Sequence, residues 1–180
     1  MKSTSSTIKS TGFEQAEHIA FQIPSIIENA DESPNTSHLA IRRYGFSIGS
    51  FHFLAPQGLF CELLVDLDIT PLPNAPTHMV GLSNHRGNII PIYTLAPLLG
   101  LTTIKNKYAY LLGQPEDGAA LLINDKPALI DLTEAEMLAH GHDKLPTLLN
   151  DCVEHSHNTK GNIWHALDHK SLFRKLASVR

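Results

Sequence analysis

The chain has 180 residues, 42% of them hydrophobic and 18% charged, with a formal net charge of −4. Such a composition fits one soluble domain, or two small lobes sharing a core. A negative balance without a basic stripe argues against nucleic acid or any other phosphate-rich partner.

The first dozen residues are dominated by Ser and Thr, with Lys2 and Lys9 among them. No apolar h-region follows, so they do not read as a secretory signal but as a flexible lead to about Gly12. Nowhere does an apolar run reach the length needed to cross a bilayer, which excludes direct membrane insertion. From Phe13 to Asn29 the apolar residues Phe13, Ala16, Ile19, Ala20, Ile23, Ile26 and Ile27 recur every three or four positions. That is one face of a helix, kinked or split at Pro24, and it either packs on its own domain or docks on a partner. Asp31 to Ser37, with Pro34 inside a polar cluster, reads as a linker. The division expected is therefore a flexible and helical extension over 1–38 and one domain over 39–180.

From Leu39 the period changes from helical to alternating. Tyr44, Phe46 and Ile48 form one run, Gly49-Ser50 turns the chain, and Phe51, Phe53 and Ala55 form the next: a hairpin. Pro56-Gln57-Gly58 turns again into an apolar strand over Leu59 to Leu67. Its polar break, Glu62, reads as the solvent-facing residue of a half-buried strand. Cys61 and Cys152 are far apart and lack CxxC spacing, so they read as reduced, buried thiols.

The stretch ITPLPNAPTHMVGLSNHRGNIIPIYTLAPLLG, Ile69 to Gly100, is the most informative in the chain. Pro71, Pro73 and Pro76 make its lead-in extended and stiff. Two apolar runs, Met79 to Leu82 and Ile89 to Tyr93, flank the polar Ser83-Asn84-His85-Arg86-Gly87-Asn88, which predicts a hairpin with its tip in solvent. Gly87 can take the positive φ that a tight tip demands, and Asn84 tolerates it better than most residues. Pro91 cannot donate to a ladder, which places the second strand at a sheet edge or a bulge. The tip then presents Arg86 outward on a rigid support, and a braced guanidinium is a favoured anchor at binding surfaces.

Thr94 to Gly100 predicts a short helix capped by Thr94 and ended by Gly100. Tyr108 to Leu112 and Ala119 to Ile123 are strands joined by a turn over Gln114 to Gly118, and Ala128 to Leu132 follows Lys126-Pro127 as a further extended run. Thr133 and Glu136 form a capping box that opens a short helix stopping at Gly141. Leu145 to Val153 suits another helical turn. Asn158 to Gly161 turns the chain into a last strand, Asn162 to Leu167, which holds the sole tryptophan, Trp164. Asp168 to Ala177 reads as a terminal helix with Leu172, Phe173 and Leu176 inward and an acidic start that suits its dipole. Many short strands with turn signals between them make the chain mainly β, with small barrels.

The order TPLPNAP, then MVGLSNHRGNIIPI, then TLAPLLG resembles the CheW family of chemotaxis adaptors, through Gly81, Asn84, Arg86, Gly87 and Leu95. His85 stands where the family usually has an aliphatic residue, and Thr94 where it usually has Asp. Similarity is clearest over Tyr44 to Leu101 and extends more faintly to about Leu176. The resemblance implies two five-stranded SH3-like barrels packed across a shared core, with partners received at the groove between the lobes and on an outer barrel face. It implies no catalysis and no cofactor. The expected partners are the cytoplasmic tip of a methyl-accepting chemoreceptor and the regulatory domain of a CheA-type histidine kinase. The expected location is the cytoplasm, at membrane-associated receptor arrays. Family members carry a Glu at the place of Glu62, in a segment implicated in kinase contact. The family's second strand pair has a Gly and an Asp where this chain has Ala120 and Asn124. The N-terminal helix and GSFHFLAPQG resemble the PilI-type adaptors of type IV pilus (twitching motility) arrays. Candidate partner-binding residues are thus Arg86, Gly87, Asn84, Gly81 and Glu62.

Eleven histidines are the best argument for chemistry instead. His140-Gly141-His142, His155-Ser156-His157, and His165 with His169 suggest a metal-dependent hydrolase as the alternative. No His-Glu-x-x-His appears, however, and no carboxylate or cysteine sits at strong metal spacing. Gly-x-Ser-x-Gly and phosphate-cradling glycine loops are also absent. Asp66 and Asp68 lie in what reads as an exposed loop. On these grounds Arg86→Ala is expected to cost no more than about 0.5 kcal/mol of stability, as surface changes usually do.

Overall fold

A computed structural model describes residues 41–102, 108–133, 137–138 and 145–178. The expected N-terminal helix and linker, the His140-Gly141-His142 pair, and Glu134 to Glu136 of the capping box lie outside these residues. Twelve strands and two helices are assigned among the described residues. The strands make two curled sheets of six, each with five main strands and one two-residue edge strand.

The first sheet takes β1 (Ile41–Ile48), β2 (Phe51–Leu54), β9 (Ala128–Leu132), β10 (Met137–Leu138), β11 (Val153–Thr159) and β12 (Asn162–Leu167). Its order is β10-β11-β12-β2-β1-β9. The second takes β3 (Cys61–Leu64), β4 (Ile69–Thr70), β5 (Met79–His85), β6 (Asn88–Tyr93), β7 (Tyr108–Leu112) and β8 (Ala119–Ile123), in the order β3-β7-β8-β6-β5-β4. Pairing is antiparallel except β2 with β12 and β6 with β8. Each sheet is thus stitched from hairpins and one parallel junction.

Alternation decides which side chains meet. Phe46, Ile48, Phe53 and Leu167 from the first sheet face Tyr93, Tyr110, Leu112, Leu121 and Ile123 from the second, all within one buried cluster. The helices α1 (Thr147–Asn150) and α2 (His169–Ser178) close this shared core with Leu149, Leu172 and Leu176. Residues on the opposite faces fill each curl: Leu64, Ile90, Ile92, Leu111 and Ala120 in the second, Leu54, Leu132 and Ala166 in the first. Polar links through Asn124 cross between the lobes. The Gly49 N–H donates to Asn124 Oδ1 (2.7 Å), and the Asn124 N–H to the Ser47 carbonyl (3.2 Å). A buried His78 ring also lies 2.8 Å, Nε2 to oxygen, from the Leu176 carbonyl at the end of α2.

Three elements differ from the sequence reading. Ala96 to Gly100 is one turn rather than a helix. The Ala96 N–H does reach Thr94 Oγ1 (3.3 Å), but Pro97 supplies no amide donor of its own. The chain then closes at once, with Leu101 bonded to Ala96 and Gly100 to Pro97. Met137–Leu138, expected within the capping-box helix, is an edge strand paired with His157 and Ser156. Finally, of the edge or bulge that Pro91 suggested, β6 is not an edge, since it runs between β5 and β8. Its ladder with β5 does bulge at Met79/Gly81, one pair from the proline. Pro91 fits because β8 joins only at Ile92 and Tyr93, just past the proline.

Candidate functional site

The tip of the β5–β6 hairpin is a two-residue turn, with His85 paired to Asn88 across it. Both turn residues take positive φ, Arg86 at 52° and Gly87 at 87°, the pattern of a type I′ turn. The sequence reading gave the unusual backbone to Asn84 and Gly87. The structure gives it to Arg86 and Gly87, because a tight hairpin matched to strand twist needs it at both central positions. Asn84 braces the turn from its strand instead: its Oδ1 accepts the Gly87 N–H at 3.0 Å. Asn84 and Gly87 are exposed, so the tip stands in solvent as expected.

Gly81 lies at the hairpin's other end, where the register slips past Val80 and β5 bulges. A Cβ there would sit 2.3 Å from the Thr70 carbonyl oxygen, so only glycine admits the close approach of β4. Gly81 is buried and shapes the support.

Glu62 departs most from its expected place. Its side chain is 7% exposed, not solvent-facing. Both faces of β3 are covered: Cys61 and Leu63 pack toward the shared core and Leu64 into the second curl. Glu62 shares the inner face with Leu64 and survives there because two groups from the hairpin tip reach it. Arg86 Nη2 donates to Glu62 Oε1 at 2.8 Å, and His85 Nε2 stands 3.2 Å from Oε2. The strands involved are far apart in the sheet order, so this ion pair clamps the curled sheet across its mouth. The Arg86 side chain is still 46% exposed. One face of the guanidinium is therefore spent on Glu62, and the rest is offered outward in a fixed orientation.

Beside it is a residue that the sequence reading counted only as part of an apolar strand. Ile89, opposite Asn84, is 61% exposed. Leu82 and Pro91, paired with each other and half-buried, lie on the same outer face. Strict alternation from the buried Ile90 outward marks Ile89 as exposed. The tip thus combines a held cation, an amide and an apolar strip on one outer face.

Several of the described histidines have contacts of their own. His78 and His85 have the contacts given above, and Ser156 Oγ lies 2.8 Å from His165 Nδ1. The His155 Nε2 is 3.4 Å from Arg43, whose guanidinium is buried and doubly donated to the Ala55 carbonyl. The His52 ring tilts against Trp164, with centroids 4.8 Å apart. Among the described residues no group of three or more His, Cys, Asp or Glu is placed to hold a metal ion. Burial pushes the Cys61 thiol up to about 11 and raises that of Cys152, so both are poor nucleophiles. Asp66 and Asp68 are exposed, as the sequence suggested. No described helix is long and apolar enough to cross a membrane.

Two curled β-sheets sharing a core, with a braced hairpin at one mouth, make the chain a two-lobed β protein. A family model for the CheW-like domain matches residues 45–177, and the chain belongs to that family. Over 84 residues it is 34% identical to Protein PilI of Pseudomonas aeruginosa, so this stretch is PilI-like. That match covers 46% of this chain and 47% of the relative, about half the length of each. The fold is similar to that of the scaffolding protein CheW from Thermoanaerobacter tengcongensis, with a TM-score of 0.60 and 19% identity. That similarity covers 76% of this chain and 90% of the other.

Proposed function

We propose that this chain is a non-catalytic adaptor. It binds the cytoplasmic tip of a methyl-accepting chemoreceptor and the regulatory domain of a CheA-type histidine kinase, in an array that controls type IV pilus twitching motility. Membership of the CheW-like family and likeness to a CheW scaffold support the adaptor role. The PilI-like stretch supports the pilus pathway. Holding both partners at once raises the concentration of each at the other, and a small shift across the two interfaces carries the signal. The protein works in the cytoplasm and reaches the membrane only through the receptor.

The observation that carries the reading is the Arg86–Glu62 clamp with Ile89 exposed beside it. A cation fixed by a buried carboxylate loses little freedom on docking, and an adjacent apolar side chain supplies area that water leaves readily. Arg86, Asn84 and Ile89 touch the partner in this reading, Gly87 and Gly81 shape the support, and Glu62 orients the arginine. The test is binding of receptor tip and kinase regulatory domain to the full chain and to Arg86→Ala. A hot-spot arginine predicts a loss of about tenfold or more for at least one partner. Equal binding by the variant removes the tip from the interface, and stoichiometric zinc in untagged protein would replace the adaptor with a metalloenzyme.

A further inference from the structure

The Arg86 hairpin has a counterpart in the other lobe. Asn84-His85-Arg86-Gly87-Asn88-Ile89 returns as Asn158-Thr159-Lys160-Gly161-Asn162-Ile163. The two runs close hairpins of one build, β5–β6 and β11–β12, each with strands of seven and six residues. Lys160 at φ 50° and Gly161 at 79° repeat the type I′ turn of Arg86 and Gly87. Each hairpin also bulges at the start of its first strand, at Met79/Gly81 and at Val153/His155. The sheets correspond as well. Counted from its two-residue edge strand, the second runs β4-β5-β6-β8-β7-β3 and the first β10-β11-β12-β2-β1-β9, with the parallel junction in the same place.

Register then matches the lobes residue by residue. In the second sheet one row across the strands reads Ile92, Ala120, Leu111, Glu62. In the first, the row that starts at the same distance from the turn glycine reads Ala166, Leu54, Gly45, Ala128. Ala128 therefore stands in the place of Glu62, and Lys160 in the place of Arg86. The first lobe keeps the cation of the clamp and lacks its carboxylate. Its mouth is open: Ala128 and Lys160 are exposed, and a groove of about 110 Å³ lies between Ile130 and Asp131 on β9 and Lys160 and Trp164 on the hairpin. A water takes about 30 Å³, so there is room for a carboxylate and the carbon next to it. Asp131, the acidic side chain on this wall, is held instead by Arg42 Nε at 2.8 Å. Among the described residues Lys160 has no ion pair.

We propose that the first lobe's mouth is a second docking surface, which takes a Glu or Asp side chain from the partner that the Arg86 tip does not hold. The inference rests on the adaptor reading, in which two partners are bound at once and need separate surfaces. The second lobe supplies the template: what Glu62 does for Arg86 from within the chain, an acidic side chain of the partner does for Lys160 from outside, above Ala128. The test measures the receptor cytoplasmic tip and the kinase regulatory domain, each against the full chain and its variants. Lys160→Gln should lose about tenfold in affinity for one of the two domains, and Lys160→Arg should retain it. Ala128→Glu, which places a carboxylate of the chain's own beside Lys160, should lose as much as Lys160→Gln. The domain weakened should not be the one that Arg86→Ala weakens, and the gap between wild type and Lys160→Gln should shrink as salt is raised. Both positions are exposed, so these variants should melt as the wild type does. Unchanged affinities in Lys160→Gln and Ala128→Glu would overturn the inference and leave the adaptor reading standing. So would loss of the same domain in Lys160→Gln and Arg86→Ala, or a loss indifferent to salt. Failure of both domains to bind the wild type would instead remove the adaptor reading, and this inference with it.

Discussion

Arg86 is a residue whose two roles pull against each other. It sits at positive φ, costing roughly 1–2 kcal/mol for a non-glycine residue, and it neutralises a carboxylate that is almost wholly buried. The structure therefore revises the small cost expected from a solvent-exposed charge. Arg86→Ala leaves Glu62 with His85 alone and should destabilise by about 1–2 kcal/mol, less than a fully buried pair because Arg86 is half in water. Urea unfolding measures it, and Glu62→Gln in the Arg86→Ala background should recover part of the loss. Full additivity of the two changes would mean that the pair does not interact. The thiols make a second test at this scale. With Cys61 held near 11 and Cys152 raised by burial, neither should react appreciably with a thiol reagent at pH 8 until urea unfolds the chain. Rapid native labelling would contradict their placement.

At the scale of elements, the hairpin and the terminal helix show what holds local structure in place. Gly81→Ala would drive a methyl into the Thr70 carbonyl, and we expect a cost of about 1–3 kcal/mol as β4 parts from β5, read as a lowered melting temperature. Asp168 caps α2, its Oδ1 accepting the Lys170 and Ser171 amides at 3.0 and 3.2 Å. Asp168→Ala should cost about 1 kcal/mol. The Ser171 hydroxyl, bonded to the carboxylate, holds Asp168 below its ordinary 3.8. A depressed folded value means the cap's contribution is complete above about pH 5 and fades as pH falls through that value. The gap between wild type and variant should therefore narrow from pH 7 to pH 3. Strands β7, β8 and β12 were legible to the residue because apolar runs bounded by turn residues leave few alternatives. The turn at Ala96 to Gly100 and the edge strand β10 were not. Both depend on what lies beside them: a proline near the start of a single turn, and a partner strand some twenty residues on.

For the whole molecule, the sequence carried the architecture but not the way the sheets curl. Composition and alternation gave small β-barrels, and the motif around Arg86 gave the family. That Glu62 turns inward to meet Arg86 could not be read, because strand period says which residues share a face and not which face closes on itself. Ile89 was missed for a related reason. An apolar residue in an apolar run looks like core until the register shows its neighbours buried and itself exposed. Asn124, noted only as a departure from the family pattern, ties the lobes through Gly49 and Ser47. These links join the two lobes into one support beneath the tip.

The most direct test is a three-component binding measurement with the full chain, a receptor cytoplasmic tip and the regulatory domain of a CheA-type kinase. The account predicts a ternary complex in which each partner binds in the presence of the other. It also predicts that Arg86→Ala, shown by its melt to be folded, loses about tenfold or more in affinity for at least one of them. Mutually exclusive binding, or affinities for both partners unchanged by the substitution, would contradict it.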